Sequence, residues 1–204
     1  MNIGDVISFD KYQWRIIEIK DSAMLLITEH IVNQRPYHNL PEGVTWANSE
    51  IRAYLNGEFL EQFNSKSLSR MLKKTNKNND NPWYGSEGGE DTNDIIFLLS
   101  LDEAVRYYFG DSSKNLDNPS SKQRYWFQRK DENNSKRQAR YFDDSWWWWL
   151  RTPGRDNKRA VYIHGDGNIG IQGNRNFNYG STTIHRATND NSGGIRPAVW
   201  VKIY

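Results

Sequence analysis

The sequence predicts an α+β domain: an antiparallel sheet with short helices and long ordered loops. Three observations point there. Short runs rich in Val, Ile and aromatic residues recur along the chain, each closed by a polar or glycine-bearing joint. Helix-capping patterns occur at few places and open only short segments. Asparagine and glycine crowd the joints of the C-terminal half, where they suit turns.

The first element is a β-meander within residues 1–40. DVISF, QWRIIEI and AMLLITEHI are its strands, joined at Asp10-Lys11 and Asp21-Ser22. Asn48 is placed to cap the helix SEIRAYLN, which stops at Gly57. A third short helix is expected over residues 65–72. IIFLLS reads as a buried strand. Ser100-Leu-Asp-Glu103 then forms a capping box that opens LDEAVRYYF, which stops at Gly110. Residues 73–94 and 111–140 are polar and read as surface excursions, the second interrupted by Tyr125-Trp126-Phe127. WWWWLR, AVYIH, IGIQG and IRPAVWVKIY resume the strands, and the Asp166-Gly167 pair in HGDGN predicts a type I′ hairpin. Arg196-Pro197 belongs at a strand start or a bulge, because proline cannot donate to a ladder.

The chain has 204 residues, enough for one domain spanning 1–204 that buries about 70% of its unfolded surface. A formal charge of +2 argues against a nucleic-acid partner. The absence of cysteine excludes disulfides, thiol catalysis and thiolate metal sites. No apolar run reaches the length of a membrane helix, so no membrane insertion is expected. The start MNIGDVISFD lacks a basic region followed by an apolar stretch. A cytoplasmic protein is therefore expected as encoded; display on a phage particle or a surface would need another route.

Trp148-Trp149-Leu150-Arg151-Thr152-Pro153-Gly154, the Val161-Tyr162 pair with its Gly-Asp-Gly hairpin, and Gly194-Ile195-Arg196-Pro197-Ala198-Val199-Trp200-Val201 carry a resemblance. They are similar to a bacterial family of domains of unknown function that runs WWLRSPG…GVRPALWV. QWRIIEI, Gln34-Arg35-Pro36-Tyr37, the segment from Thr45 to Asn56 and IFLLSLDEA resemble its other blocks. That family resembles in layout the C-type-lectin-like fold of formylglycine-generating-enzyme relatives. The same fold hosts the variable proteins of diversity-generating retroelements, whose C-terminal segment is mutated at template adenines, often in asparagine codons. The resemblance thus implies a lectin-like fold with a variable region within 143–204, where Asn157, Asn168, Asn174, Asn176, Asn178, Asn189 and Asn191 crowd.

Where the family has two tryptophans before Leu-Arg, this chain has four. Trp148 and Trp149 match the motif and are expected in the scaffold, with Arg151, Arg196 and Trp200. Trp146 and Trp147 are extra. They are read as displayed ligand contacts, or else as packing against the 111–140 excursion. Arg151 and Arg196 would bind an anion if open; the favoured reading buries them against loop carbonyls or a carboxylate. Asp166-Gly167-Asn168 and Asn189-Asp190-Asn191 carry oxygen ligands suited to Ca²⁺, but their spacing fits no EF-hand loop and turns account for both. His164 and His185 lack an acidic partner in the sequence, so neither metal nor cofactor is expected. The run from Lys122 to Lys130 interleaves bases with aromatics, but Asp131 and Glu132 follow at once, and it reads as a solvated excursion.

Two functions from different classes fit. The first is a non-catalytic binding module for a protein or glycan. It would present Tyr162, His164, Asn168, Gln172, Asn174, Asn176, Asn178, Tyr179, Thr183 and His185 beside Trp146 and Trp147. The second is an enzyme acting on a polymer or glycan along an aromatic groove. It would need paired carboxylates at a set separation, and Asp143 and Asp144, adjacent on a strand, diverge. The binding module is the preferred reading.

Overall fold

The computed structural model describes residues 1–118, 131–177 and 192–203. It is an α+β fold with mostly antiparallel sheets and a few short helices. β1 (Val6–Phe9), β2 (Tyr12–Lys20) and β3 (Ala23–Thr28) form the expected meander. Its two tight joints use residues at positive φ: Asp10 at 55°, then Asp21 and Ser22 at 50° and 59°. Asp and Ser hold such turns at low cost. All six residues of β3 are buried, because the sheet is covered on both faces.

The chain then leaves this sheet. β4 (Asn33–Arg35) joins a different one. Helix α1 (Glu50–Asn56) follows, capped by Ser49, whose Oγ accepts from the Arg52 N–H at 3.3 Å. The expected cap, Asn48, lies one residue earlier in a 3₁₀ turn. The expected helix over 65–72 is shorter: α2 (Ser65–Leu68) is capped by Asn64, and Met71–Leu72 is already strand β5.

Residues 73–94 are largely exposed, as expected, but pinned to the interior at several buried positions. β6 (Lys74–Asn76) and β7 (Thr92–Asp94) pair with each other. Between them Asn81 is buried and donates to the carbonyls of Pro153 and Ile171, at 2.8 and 3.0 Å. A polar composition concealed an inward-facing role: these amides satisfy backbone carbonyls in the interior. β8 (Ile96–Phe97) follows. The capping box at Ser100 closes both ways, Ser100 N–H to Glu103 at 2.7 Å and Glu103 N–H to Ser100 Oγ at 3.1 Å. The turn it opens is a π-helix over Glu103–Tyr107.

Helix α3 (Ser113–Asp117) and helix α4 (Asn134–Arg137) flank a stretch outside the described residues, which includes the Lys122 to Lys130 run with Tyr125-Trp126-Phe127. The flanks are anchored: Arg137, fully buried, pairs with Asp131. A two-residue hairpin joins β9 (Arg140–Tyr141) to β10 (Asp144–Ser145).

β11 (Trp148–Pro153), β12 (Arg159–Ile163), β13 (Ile169–Arg175) and β14 (Gly193–Ile195) build the second sheet with β4, in the order β13-β12-β11-β14-β4. Its β11–β14 pair is parallel. β15 (Ala198–Lys202) ends the described chain in the middle of the first sheet, between β3 on one side and β5 and β8 on the other. Arg196-Pro197 therefore marks the point where one segment changes sheets. A residue without an N–H is tolerated there because neither ladder needs its donor. A single cluster of buried side chains runs through both sheets.

Candidate functional site

The expected display surface lies on the second sheet. Trp148 and Trp149 point to opposite faces, and both are fully buried. Trp148 packs edge-on against Phe109 and donates its indole N–H to the Arg137 carbonyl at 3.0 Å. Trp149 packs against Tyr37 at 5.6 Å and donates to the Arg35 carbonyl at 3.1 Å.

The two extra tryptophans are half-buried. Trp147 packs edge-on between Trp149, with ring centroids 4.7 Å apart, and Tyr162, at 5.5 Å. Gly193 leaves it room: a Cβ there would overlap the rings of Trp147 and Trp149. Gly170 plays the same part under the Tyr162 ring. Trp147 and Tyr162 thus form one aromatic ridge resting on glycine backbone. Trp146 packs on the core, and its indole nitrogen is buried with no hydrogen-bond partner among the described residues. It is therefore not the open contact expected from sequence.

Along the β12–β13 hairpin, burial alternates. Val161, Ile163, Ile169 and Ile171 are fully buried, whereas Tyr162, Asn168, Gln172 and Asn174 are half-buried and His164 is exposed. The hairpin loop is not type I′, which requires positive φ at two successive residues. Only Gly167 has it, at 83°, and the turn closes through His164 N–H to the Asn168 carbonyl at 2.7 Å. Asp166 organises this loop. Its carboxylate accepts from the Asn168 N–H at 2.9 Å and the Asn168 amide at 2.6 Å, and it meets His164 Nδ1 at 3.0 Å. Burial alone would raise the Asp166 pKa, but these bonds outweigh it and hold it below the usual carboxylate range. His164 thus has an acidic partner that sequence spacing did not reveal: two residues apart, the two meet because the loop folds back.

Asn176 overturns one expectation. It is fully buried rather than displayed. Its amide donates to the Asn157 carbonyl at 3.1 Å, its N–H to the Lys158 carbonyl at 3.0 Å, and its carbonyl accepts from His38 N–H at 2.9 Å. It pins the end of β13. Asn178, Tyr179, Thr183, His185, Asn189, Asp190 and Asn191 lie outside the described residues.

The two arginines are buried, and differently. Arg151 uses all five donors: a two-pronged pair with Glu103 at 2.5 and 3.0 Å, the carbonyls of Leu98 and Lys77, and the Asn78 side chain. No donor is left for an external anion. Arg196 reaches the Thr28 carbonyl at 2.8 Å and lies over the rings of Trp148 and Phe109, at 5.2 and 5.6 Å. Burial pulls its pKa down to about 10, while the charge of Glu29 opposes the fall. Trp200, expected in the scaffold, is only partly buried and lines a hollow on the first sheet.

Asp143 and Asp144 are exposed on the β9–β10 hairpin. Among the described residues no three His, Asp or Glu side chains gather as a metal site would need. No described helix is long and apolar enough to cross a membrane.

A family described as a domain of unknown function, DUF6273, matches residues 21–203. The chain belongs to the DUF6273 family. No curated protein and no solved structure matches it. The DUF6273 match begins at the β2–β3 joint and runs to the end of β15, so it takes in every strand of the second sheet and the sheet-changing segment. β1 and β2 lie before it, yet they complete the first sheet.

Proposed function

We propose that this DUF6273 domain is a non-catalytic binding module on a C-type-lectin-like scaffold. It presents a variable surface to a protein or glycan, as the variable proteins of diversity-generating retroelements do. The observation that carries this reading is the alternation along β12 and β13. Four fully buried aliphatic residues hold the frame, while Tyr162, His164, Gln172 and Asn174 interleave with them and are partly or fully exposed. Side chains in such positions vary at little cost to folding, whereas their neighbours cannot. The Trp147–Tyr162 ridge adds rigid aromatic contact area with few rotamers to freeze on binding. Asn178, Tyr179, Thr183 and His185, which complete the set read from the sequence, lie outside the described residues.

The test is the nucleotide sequence of the gene's 3′ end across independent isolates. Substitutions should concentrate at template adenines in the codons of Tyr162, His164, Asn168, Gln172 and Asn174, with Val161, Ile163, Ile169 and Ile171 unchanged. A near-copy of this segment should stand beside a reverse-transcriptase gene. Substitutions spread evenly over buried and exposed codons, with no near-copy, would overturn the retroelement reading.

A further inference from the structure

We infer that the hollow on the first sheet, centred on Trp200, is a second ligand site, and that it takes a neutral saccharide chain. The pairing register builds its floor. Glu18 lies opposite Leu25, Leu25 opposite Trp200, and Trp200 opposite Leu72, so these four share one face of the sheet; Leu25 is fully buried, and Glu18, Trp200 and Leu72 line the hollow. Tyr108 and Glu103 overhang this row from the helical turn, and Lys74 and Thr75 wall its other side. The hollow has a volume of about 300 Å³. Beyond Glu103 it adjoins a second hollow of about 530 Å³, which shares Thr75, Asn76 and Glu103 and ends at the exposed Tyr107. Both volumes fall in the range of small-molecule clefts, and their continuity suits a chain of rings.

The lining chemistry selects the class. Lys20 and Lys74 face Glu18 and Asp21, so the fixed charges balance and a charged ligand would meet its own sign. Glu103 is already committed to Arg151. A neutral polyol suffers no repulsion and finds donors and acceptors together. Tyr108 donates to one Glu18 oxygen at 2.9 Å, which leaves the other oxygen open as an acceptor. Among the described residues the indole N–H of Trp200 has no acceptor. A pyranose presents C–H bonds on one face and hydroxyls around its rim, so it stacks on an aromatic plane while its rim hydrogen-bonds. The Lys74 ammonium lies over that ring, 5.6 Å from its centre. Its flexible stem lets it swing aside and donate to a hydroxyl.

Isothermal titration of the full chain with cellohexaose, chitohexaose, mannohexaose and maltohexaose at millimolar concentration tests this. At least one should bind with one-to-one stoichiometry, and Trp200→Ala should weaken it at least about tenfold. Lys74→Glu, at an exposed position, should weaken it too, which decides the matter if Trp200→Ala fails to fold. Tyr162→Ala, on the other sheet, should leave binding unchanged. Silence from all four sugars, or binding that survives Lys74→Glu and Trp200→Ala, would overturn the proposal. Loss of binding in Tyr162→Ala would place the sugar on the second sheet and would equally overturn it.

Discussion

Side chains that look alike in the sequence divide sharply in what they do. Trp149 is sealed beneath Trp147 and Tyr37, and its indole N–H is bonded to the Arg35 carbonyl. Trp149→Ala should cost about 3–5 kcal/mol in denaturant unfolding, as for a large core aromatic. Among the asparagines, Asn176 is the structural one. Asn176→Ala strands the Asn157 carbonyl and should cost about 1–3 kcal/mol, while Asn174→Ser should stay within about 0.5 kcal/mol. Equal costs at the two positions would contradict their different burial. Asp94 sets the acid limit. Burial alone would raise its pKa, but donors from Thr92, Trp46, Asn76 and Arg52 outweigh that and hold it low. Asp131 is held low in the same way by Asn133, Arg137 and Ser112. Such carboxylates bind protons more weakly when folded than when unfolded. Their contribution is complete above the unfolded pKa of about 4 and is lost as pH falls from there through the folded value. Asp94→Asn should therefore flatten the fall of the unfolding midpoint below about pH 4 and lower the midpoint at neutral pH. An unchanged acid limb would show that Asp94 is not linked to folding.

Elements were legible where local chemistry decides them. The meander follows from β-branched runs closed by Asp-bearing joints, and the Ser100–Glu103 capping box closes as its spacing implies. Cap identity was not legible at α1, because Asn48 and Ser49 are both good caps and are adjacent. Their substitution separates them: Ser49→Ala should cost about 0.5–2 kcal/mol and Asn48→Ala almost nothing, since Asn48 is exposed and makes no cap bond. The inward role of residues 73–94 was hidden because asparagine reads as a surface residue until its carbonyl partners are known, and those partners are far away in sequence. At the β12–β13 hairpin the alternation of buried and exposed residues was visible in the sequence, but the loop around Asp166 was not. A Gly167 that sits at positive φ against the Asn134 carbonyl fixes that loop.

At the scale of the whole molecule, the single predicted sheet is two, and the chain's last segment belongs to both. β14 lies between β11 and β4, and three residues later β15 forms the middle of the first sheet. No local signal separates one sheet from two; only the long-range pairing does. Buried Arg196 sits at the crossing, bonded to β3 and stacked on Trp148 of β11. The two sheets should therefore melt as one unit, and deleting residues 195–204 should leave no cooperative transition. A truncated chain that still melts cooperatively would contradict this. A fixed frame with replaceable side chains on β12 and β13 makes a sharp demand on denaturant unfolding of the triple variant His164→Ser, Gln172→Ser, Asn174→Ser beside Ile171→Ala. The triple variant should lose no more than about 1.5 kcal/mol, about 0.5 for each of these surface-facing sites, and Ile171→Ala about 2–5 kcal/mol. A triple variant less stable than Ile171→Ala would put those polar side chains in the frame and contradict the account.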